Sequence, residues 1–145
     1  MSNPQNEVEA IKKAIESETL SFIKVDKPAW EGVWVQSSYA YWSYSDSTGT
    51  SFVEGWEKIN KSFESYFKTQ VANRNIDVVH PGDELTIERD YKEFRIYGDG
   101  AFVQYNQRVR DKLIQRDETS QIRVLEKQNG KWLIAYVGII AKYPD

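Results

Sequence analysis

Polar side chains alternate with apolar ones along two stretches near the end of the chain. Val103, Tyr105 and Gln107 stand at every second position of one stretch, and Gln121 and Arg123 do so in the next. Every second residue of a β-strand points to the same face, so we expect these side chains to share the inner face of a sheet. A guanidinium in that position is partly desolvated and needs an acceptor or a ligand. The pattern therefore predicts a pocket for a small, partly apolar molecule that carries a carboxylate or carbonyl group.

The same arginine has another interpretation. Arg123 would also be satisfied if it paired with an acidic residue such as Glu88 or Asp90 on a neighbouring strand, or if it lay on the outer face of the sheet. A shift of one residue in strand register moves every side chain to the opposite face. Both interpretations remain open at this point.

Aromatic residues form the second group of candidates. The chain has five Trp and nine Tyr, whose rings bury large areas while keeping one polar atom. Trp30 and Trp34 are four residues apart and should pack together. We assign Trp30 to the core, whereas Trp34 fits a core position and a pocket wall equally well. Tyr41 belongs to an aromatic stretch that we place at the pocket mouth, where its hydroxyl would contact a ligand. The predicted ligand-binding residues are Trp34, Tyr41, Tyr105, Gln107 and Arg123.

Catalytic groups cannot be assigned from the residues alone. The single histidine, His80, lies in the turn-like segment VVHPGD, where an imidazole is more often solvated than catalytic. An isomerase of the ketosteroid type needs a carboxylate base and a polarising donor, for which Tyr41, Tyr105, Glu88 and Asp90 are available. Cysteine is absent, and no spacing of His, Asp and Glu is typical of a metal site, so we expect no cofactor and no metal. Enzymatic activity stays an open alternative.

Composition limits the class of protein. A chain of 145 residues has the usual length of one domain, here 1–145. The formal net charge of −3 does not favour nucleic acid as a partner. No apolar run reaches the roughly 18 residues of a membrane span, and the N-terminus does not have the pattern of a signal peptide. We therefore expect a cytoplasmic protein that binds a small molecule, and neither nucleic acid nor a membrane.

The elements that must position these residues follow from hydrophobic periodicity. Asn3 can cap a first helix with Pro4 at its first position. The apolar stripe that follows, with Val8, Ile11, Ile15 and Phe22, predicts that this helix is amphipathic and continues to about residue 24. Asp26 caps a second, short helix that carries two of the tryptophans. The remaining elements are a short hairpin (39–44 and 50–53), a third helix (56–68), a loop (73–83) and four long strands (84–97, 101–113, 120–127 and 131–143).

The turn Asn129-Gly130 joins the last two strands. Both central residues of a type I′ turn need positive φ, which Asn and Gly adopt most readily, so the runs on either side should pair as a hairpin. With the helices upstream, this predicts an α+β cone. In such a fold a curved antiparallel sheet wraps around three N-terminal helices and leaves a pocket between them.

The order of these elements resembles a known superfamily. The stretches EGWEKINKSFESYF, GDGAFV and RVLEKQNGKWLI are similar, in that order, to the nuclear-transport-factor-2-like (NTF2-like) superfamily, which includes SnoaL-like and ketosteroid-isomerase-like proteins. The resemblance covers residues 8–143 and implies a cystatin-like cone. Fold does not fix function in this superfamily. It leaves three possibilities: a small-molecule-binding protein, a SnoaL-like isomerase, cyclase or dehydratase acting on a cyclic carbonyl compound, and a structural association module.

The last strands are similar to the association domain of calcium/calmodulin-dependent kinases. In that domain an arginine on the penultimate strand points into the pocket and binds carboxylates, and the resemblance places Arg123 there. A second pocket arginine of the family falls on Gln107, and a pocket histidine falls on Ile59. Because the chain departs from the pattern at both positions, the resemblance implies a site for one anionic or carbonyl group only.

Sheets of this family commonly pair through their outer faces, which implies a homodimer. Phe102, Leu133 and Ile139 are the apolar residues that we expect on this outer face.

Overall fold

Three helices and six strands make up the described part of the chain. The structure is a computed structural model that describes residues 4–74, 86–110 and 117–142. The helices are α1 (Pro4–Ile23), α2 (Lys27–Gly32) and α3 (Trp56–Arg74), and the strands are β1 (Tyr41–Asp46), β2 (Gly49–Glu54), β3 (Thr86–Tyr97), β4 (Gly100–Arg110), β5 (Asp117–Gln128) and β6 (Lys131–Ala141). The order of elements is the predicted one.

The strands form one curved, unclosed sheet in the order β2-β1-β6-β5-β4-β3. The pairs β1/β2, β3/β4, β4/β5 and β5/β6 are antiparallel. β1 runs parallel to β6, so the sheet is mixed, whereas we expected it to be antiparallel throughout. A parallel pair needs a long connection, and α3 with four strands (β2, β3, β4 and β5) provides it here. The predicted α+β class with a cone-shaped sheet is confirmed.

α1 covers the inner face of the sheet through one apolar stripe. Ile11 and Ile15 on this stripe are fully buried. After the helix ends, Val25 adopts a positive φ of 61°. Asp26 then caps α2, since its Oδ1 accepts a hydrogen bond from the Ala29 N–H at 3.2 Å. The chain is thereby turned so that α2 packs beside α1.

The core next to α2 is aromatic. The rings of Trp30, Trp34 and Trp56 pack in a cluster, with centroid distances of 6.0, 5.6 and 6.0 Å for the three pairs. The predicted contact between Trp30 and Trp34 is confirmed. Ala101 and Leu125, from the inner faces of β4 and β5, are buried in the same core.

The turn between β5 and β6 has the predicted conformation. Asn129 has a φ of 52° and Gly130 a φ of 78°, as a type I′ turn requires. β5 ends at Gln128 and β6 begins at Lys131, so the hairpin has a two-residue loop.

Several element bounds differ from the prediction. α3 continues to Arg74, into the predicted loop 73–83, because residues 69–74 contain no Gly or Pro that would end it. The rest of that loop, with His80, lies outside the described residues. β1 begins two residues later than predicted.

Among the residues that the structure describes, no helix has an apolar stretch long enough to cross a membrane.

Candidate functional site

A cavity of about 220 Å³ lies between α1 and the inner face of the sheet. Its apolar lining residues come from the helices and from the sheet and are Phe22, Ile23, Trp30, Trp42, Phe63 and Ile139. Its polar lining residues are Glu18, Thr19, Gln107, Gln121 and Arg123. Apolar walls with a few placed polar groups are the usual form of a small-molecule site.

Arg123 is the centre of a buried hydrogen-bond network. The side chain is 3% exposed. Its Nε donates to the Tyr105 hydroxyl at 2.9 Å, and its Nη2 donates to Gln121 Oε1 at 2.9 Å. The Tyr105 hydroxyl donates to the same Gln121 oxygen at 2.9 Å, and Gln121 Nε2 donates to Thr119 Oγ1 at 2.9 Å. These bonds fix the plane of the guanidinium and the orientation of the Gln121 amide.

Glu18 of α1 supplies the negative charge opposite Arg123. Its Oε2 lies 3.5 Å from Arg123 Nη2, and both side chains are buried. Burial removes the screening by water that weakens ion pairs at a protein surface. The two charges balance each other, so the pair brings no net charge to the cavity.

A second guanidinium lies behind this network. Arg89 of β3 donates from Nη2 to Thr19 Oγ1 at 2.9 Å. Its guanidinium carbon is 5.7 Å from the centroid of the Tyr105 ring. Tyr105 thus contacts two guanidinium groups, one through its hydroxyl and the other through its ring. Arg89 itself does not line the cavity.

Burial and neighbouring groups shift two pKa values around the site. Burial alone would lower the pKa of Arg123, but the interactions with Tyr105 and Glu18 outweigh it and raise the pKa above its ordinary value. Burial is also the main cause that raises the pKa of Tyr91, whose ring centroid is 5.4 Å from that of Tyr105. At neutral pH the site therefore contains a charged Arg123 and a neutral Tyr91.

Three buried polar atoms at the cavity have no hydrogen-bond partner among the described residues. They are Arg123 Nη1, Gln107 Oε1 and Trp30 Nε1. All three residues line the cavity. A buried polar group without a partner costs about 1–3 kcal/mol. Each of the three residues therefore has an unsatisfied polar atom in a side chain that forms part of the cavity wall.

The structure brings together some of the five residues predicted for the site, but not all. Arg123 and Gln107 line the cavity. Tyr105 does not line it, but its hydroxyl accepts a hydrogen bond from Arg123. Trp34 does not line it, because its ring is buried against Trp30 and Trp56. The prediction that all five residues converge on one site is therefore wrong for Trp34 and for Tyr41.

Tyr41 lies on the outer face of the sheet. Its ring stacks on Tyr136 at 5.3 Å and on Phe52 at 5.7 Å, and Phe52 is 63% exposed. The next residue, Trp42, is the one that lines the cavity. The predicted position of Tyr41 is therefore wrong: adjacent residues of a strand point to opposite faces, and in this aromatic stretch Trp42 is the one that points inward.

The acidic partner of Arg123 was not found from the sequence. Glu88 and Asp90, the partners considered, are exposed on β3, where Glu88 lies 4.0 Å from Arg108 and Asp90 lies 2.7 Å from Lys92. The observed partner, Glu18, follows the buried Ile11 and Ile15 on the same stripe of α1. A carboxylate on an otherwise apolar helix stripe is the signal that could have identified it.

Comparison with known proteins gives a result at the level of structure only. No protein-family profile matches the sequence, and no curated protein matches it. An NTF2-like protein of unknown function from Shewanella oneidensis is 12% identical; the match covers 92% of this chain and 98% of that protein, with a TM-score of 0.67. The chain has the NTF2-like fold.

Two other structurally similar proteins have names that suggest a function. One, from Streptomyces avermitilis, is suggested to be a dehydratase; it is 12% identical, with 98% and 100% of the two chains covered and a TM-score of 0.67. The other, from Thiobacillus denitrificans, is suggested to be a calcium/calmodulin-dependent protein kinase type II association domain; it is 7% identical, with 91% and 94% covered and a TM-score of 0.65. Identities this low support a common fold and no common function.

Proposed function

We propose that this protein binds a small, mostly apolar molecule in the cavity between α1 and the sheet. The observation that carries the proposal is the set of unpartnered polar atoms, Arg123 Nη1, Gln107 Oε1 and Trp30 Nε1, on residues that line one cavity. A core that served stability alone would gain from apolar residues at these positions, because polar groups without partners oppose folding. A ligand carbonyl oxygen would accept hydrogen bonds from the two donors among them, Arg123 Nη1 and Trp30 Nε1.

The size of the cavity limits the ligand. Its volume of about 220 Å³ exceeds the ~150 Å³ of an apolar cavity that holds benzene, and it is below the ~300 Å³ at which sites for drug-sized molecules begin. The lining rings of Trp42 and Phe63 suit a flat apolar body. We therefore expect a compound with one or two rings.

A cavity-filling variant tests the proposal. Ile139 lines the cavity, whereas Ile140, the next residue, is exposed on the outer face. Ile139→Phe should occupy the cavity and abolish binding of a panel of benzoic acids, benzamides, acetophenones and tetralones, measured by isothermal titration calorimetry. Ile140→Phe adds the same volume outside the cavity and should bind like the wild type. The proposal fails if no member of the panel binds the wild type, or if Ile139→Phe binds equally well.

A second candidate function is the isomerisation or dehydration of a cyclic carbonyl compound. The four residues considered for it do not line the cavity: Glu88 and Asp90 are exposed, Tyr41 is on the outer face, and Tyr105 lies behind Arg123. The observation in its favour is Glu18, a carboxylate that does line the cavity. Glu18 would take an α-proton, the electron pair of the broken C–H bond would form the C=C bond of an enolate, and the π pair of the carbonyl group would move to its oxygen, beside Arg123 Nη1.

Proton exchange distinguishes this second function from binding alone. The exchange of the α-protons of 2-tetralone in D₂O, followed by NMR, should be faster with the wild type than with Glu18→Gln. Glu16→Gln removes the same charge at an exposed position of α1 and should leave the rate unchanged. An exchange rate equal to that in buffer would exclude this function and leave the binding proposal intact.

Pairing of two copies through the outer sheet face is a further part of the proposal. Phe102 and Leu133 are half-buried, and Ile140 is exposed. Ile139, which we expected on this face, instead lines the cavity. The Phe52–Tyr41–Tyr136 stack adds a flat aromatic surface that a second copy would cover. A monomer by light scattering at micromolar concentration would contradict the dimer.

A cytoplasmic location stays a prediction from the sequence.

A further inference from the structure

The charge of the cavity indicates what kind of polar group a ligand would carry. Arg123 is already paired with Glu18 at 3.5 Å, so an anion placed against Arg123 would meet a buried carboxylate as well as a guanidinium. Like charges that approach in a buried site repel strongly, because water does not screen them. We propose, as a refinement that rests on the proposed function, that the polar end of the ligand is uncharged and both accepts and donates hydrogen bonds, as a carboxamide or lactam does.

The hydrogen-bonding atoms favour the same class of ligand. Arg123 Nη1 and Trp30 Nε1 are donors that need an acceptor, and Gln107 Oε1 is an acceptor that needs a donor. A carboxylate has acceptors only and would leave Gln107 Oε1 opposite another oxygen. A carboxamide offers its oxygen to the donors and its N–H to Gln107.

Other charged groups nearby do not reverse this balance. Arg89 directs its guanidinium to Thr19 Oγ1 and the Tyr105 ring and does not line the cavity. Glu16 on α1 is exposed, and Lys12 lies over the Tyr91 ring, 4.9 Å from its centroid. Among the described lining residues, Glu18 and Arg123 are the charged ones. The cavity is therefore neutral where a ligand would touch it.

A matched pair of probes tests the refinement. We would measure the dissociation constants of 4-iodobenzamide and 4-iodobenzoate at pH 7.5 by isothermal titration calorimetry. The two probes have the same size and ring, and they differ in the charge and donors of one group. The wild type should bind the amide at least tenfold more tightly than the acid, a difference of about 1.4 kcal/mol.

Two variants separate the charge argument from a general effect on the pocket. Glu18→Gln leaves the charge of Arg123 unbalanced and should shift the ratio of the two affinities at least tenfold towards the acid. Glu16→Gln, with the same charge change at an exposed site of the same helix, should keep the wild-type ratio. Gln107→Leu removes the acceptor, without touching the ion pair, and should weaken the amide more than the acid.

The outcomes distinguish the refinement from the proposed function. If the wild type binds 4-iodobenzoate as tightly as 4-iodobenzamide, or if Glu18→Gln leaves the ratio unchanged, the ligand class is wrong while binding in the cavity stands. If neither probe binds the wild type at millimolar concentration, both proposals are contradicted.

Discussion

The inner face of β4 and β5 has two halves of opposite chemistry. Near the β5–β6 turn, Ala101 lies opposite Leu125, and both are buried. Farther along the same two strands, Tyr105 lies opposite Gln121 and Gln107 opposite Thr119, and these are buried as well. Arg123 lies opposite Val103, at the boundary of the two halves. We call the half with Ala101 and Leu125 the aliphatic half. The half with Tyr105, Gln107, Thr119, Gln121 and Arg123 is the polar half.

Burial does not distinguish the two halves, so the difference lies in what each must contact. The aliphatic half needs only apolar neighbours, which the helices provide. The polar half needs hydrogen bonds and charge balance. It obtains its charge balance from Glu18 of α1 and several hydrogen bonds from its own side chains, while Arg123 Nη1 and Gln107 Oε1 have no partner among the described residues. An apolar replacement of such a network is often as stable or more stable. We therefore propose that the polar half serves binding rather than stability.

The largest expected effect comes from breaking the ion pair of the polar half. Glu18→Leu leaves the buried Arg123 without its counter-charge, and we expect a loss of about 3–5 kcal/mol in the free energy of unfolding. Urea denaturation followed by circular dichroism measures it. The double variant Glu18→Leu/Arg123→Leu removes both charges and should recover most of that loss. A double variant no more stable than Glu18→Leu alone would show that the pair does not act as a unit.

The matching change in the aliphatic half is Leu125→Ala. The substitution removes buried apolar atoms from a fully buried position and leaves an empty volume there. We expect it to lower the free energy of unfolding by about 2–5 kcal/mol. The affinity of a ligand that binds the wild type should stay within about twofold, because Leu125 does not line the cavity. A large loss of affinity in a variant that is folded at the assay temperature would show that the two halves are not separate.

The turn that closes the aliphatic half gives a smaller effect. Gly130 has a φ of 78°, and Gly130→Val places a β-branched side chain in a left-handed conformation. We expect a loss of about 1–2 kcal/mol in the free energy of unfolding, with ligand binding unchanged. Gly32→Val in α2 serves as a control for the loss of glycine alone, since no positive φ is required there. Equal stability of Gly130→Val and the wild type would contradict the type I′ turn.

The smallest effect is on the pH dependence of stability and comes from Tyr91, whose ring packs against that of Tyr105. Tyr91 has a pKa raised above its ordinary value of 10.0, mainly by burial. The folded protein therefore keeps this proton longer than the unfolded chain, so its contribution to stability is complete below pH 10 and is lost as the pH rises through the folded-state pKa. Tyr91→Phe should lose less stability than the wild type between pH 9.5 and 11.5 in urea titrations. Parallel stability curves for the two proteins would show that Tyr91 is not desolvated as described.

The sequence predicts most of the fold because its strongest signals are local. The stripe that contains Ile11 and Ile15 predicts α1, and Asn129-Gly130 predicts the last hairpin, without reference to distant residues. The parallel pairing of β1 with β6 carries no such local signal. It depends on how distant elements pack, which overrides propensity.

The site is predicted less completely than the fold. Arg123 and Gln107 follow from strand alternation alone. Tyr41 lies on the face opposite to the predicted one, because a two-residue periodicity in an aromatic stretch does not determine which set of side chains points inward. The apolar stripe of α1 indicates that Glu18 is buried, but its pairing with Arg123 does not follow from the sequence, because the two residues are 105 positions apart in the chain.

Locating a bound probe tests the central claim most directly, namely that the polar half and the cavity form a binding site. A crystal structure of the protein with 4-iodobenzamide would show the iodine by its anomalous signal. We predict an iodine peak inside the cavity, against Trp42 and Phe63, with the carboxamide within hydrogen-bond distance of Arg123 Nη1 and Gln107 Oε1. A cavity filled by its own side chains, or an iodine peak found only outside it at saturating concentration, would contradict the account.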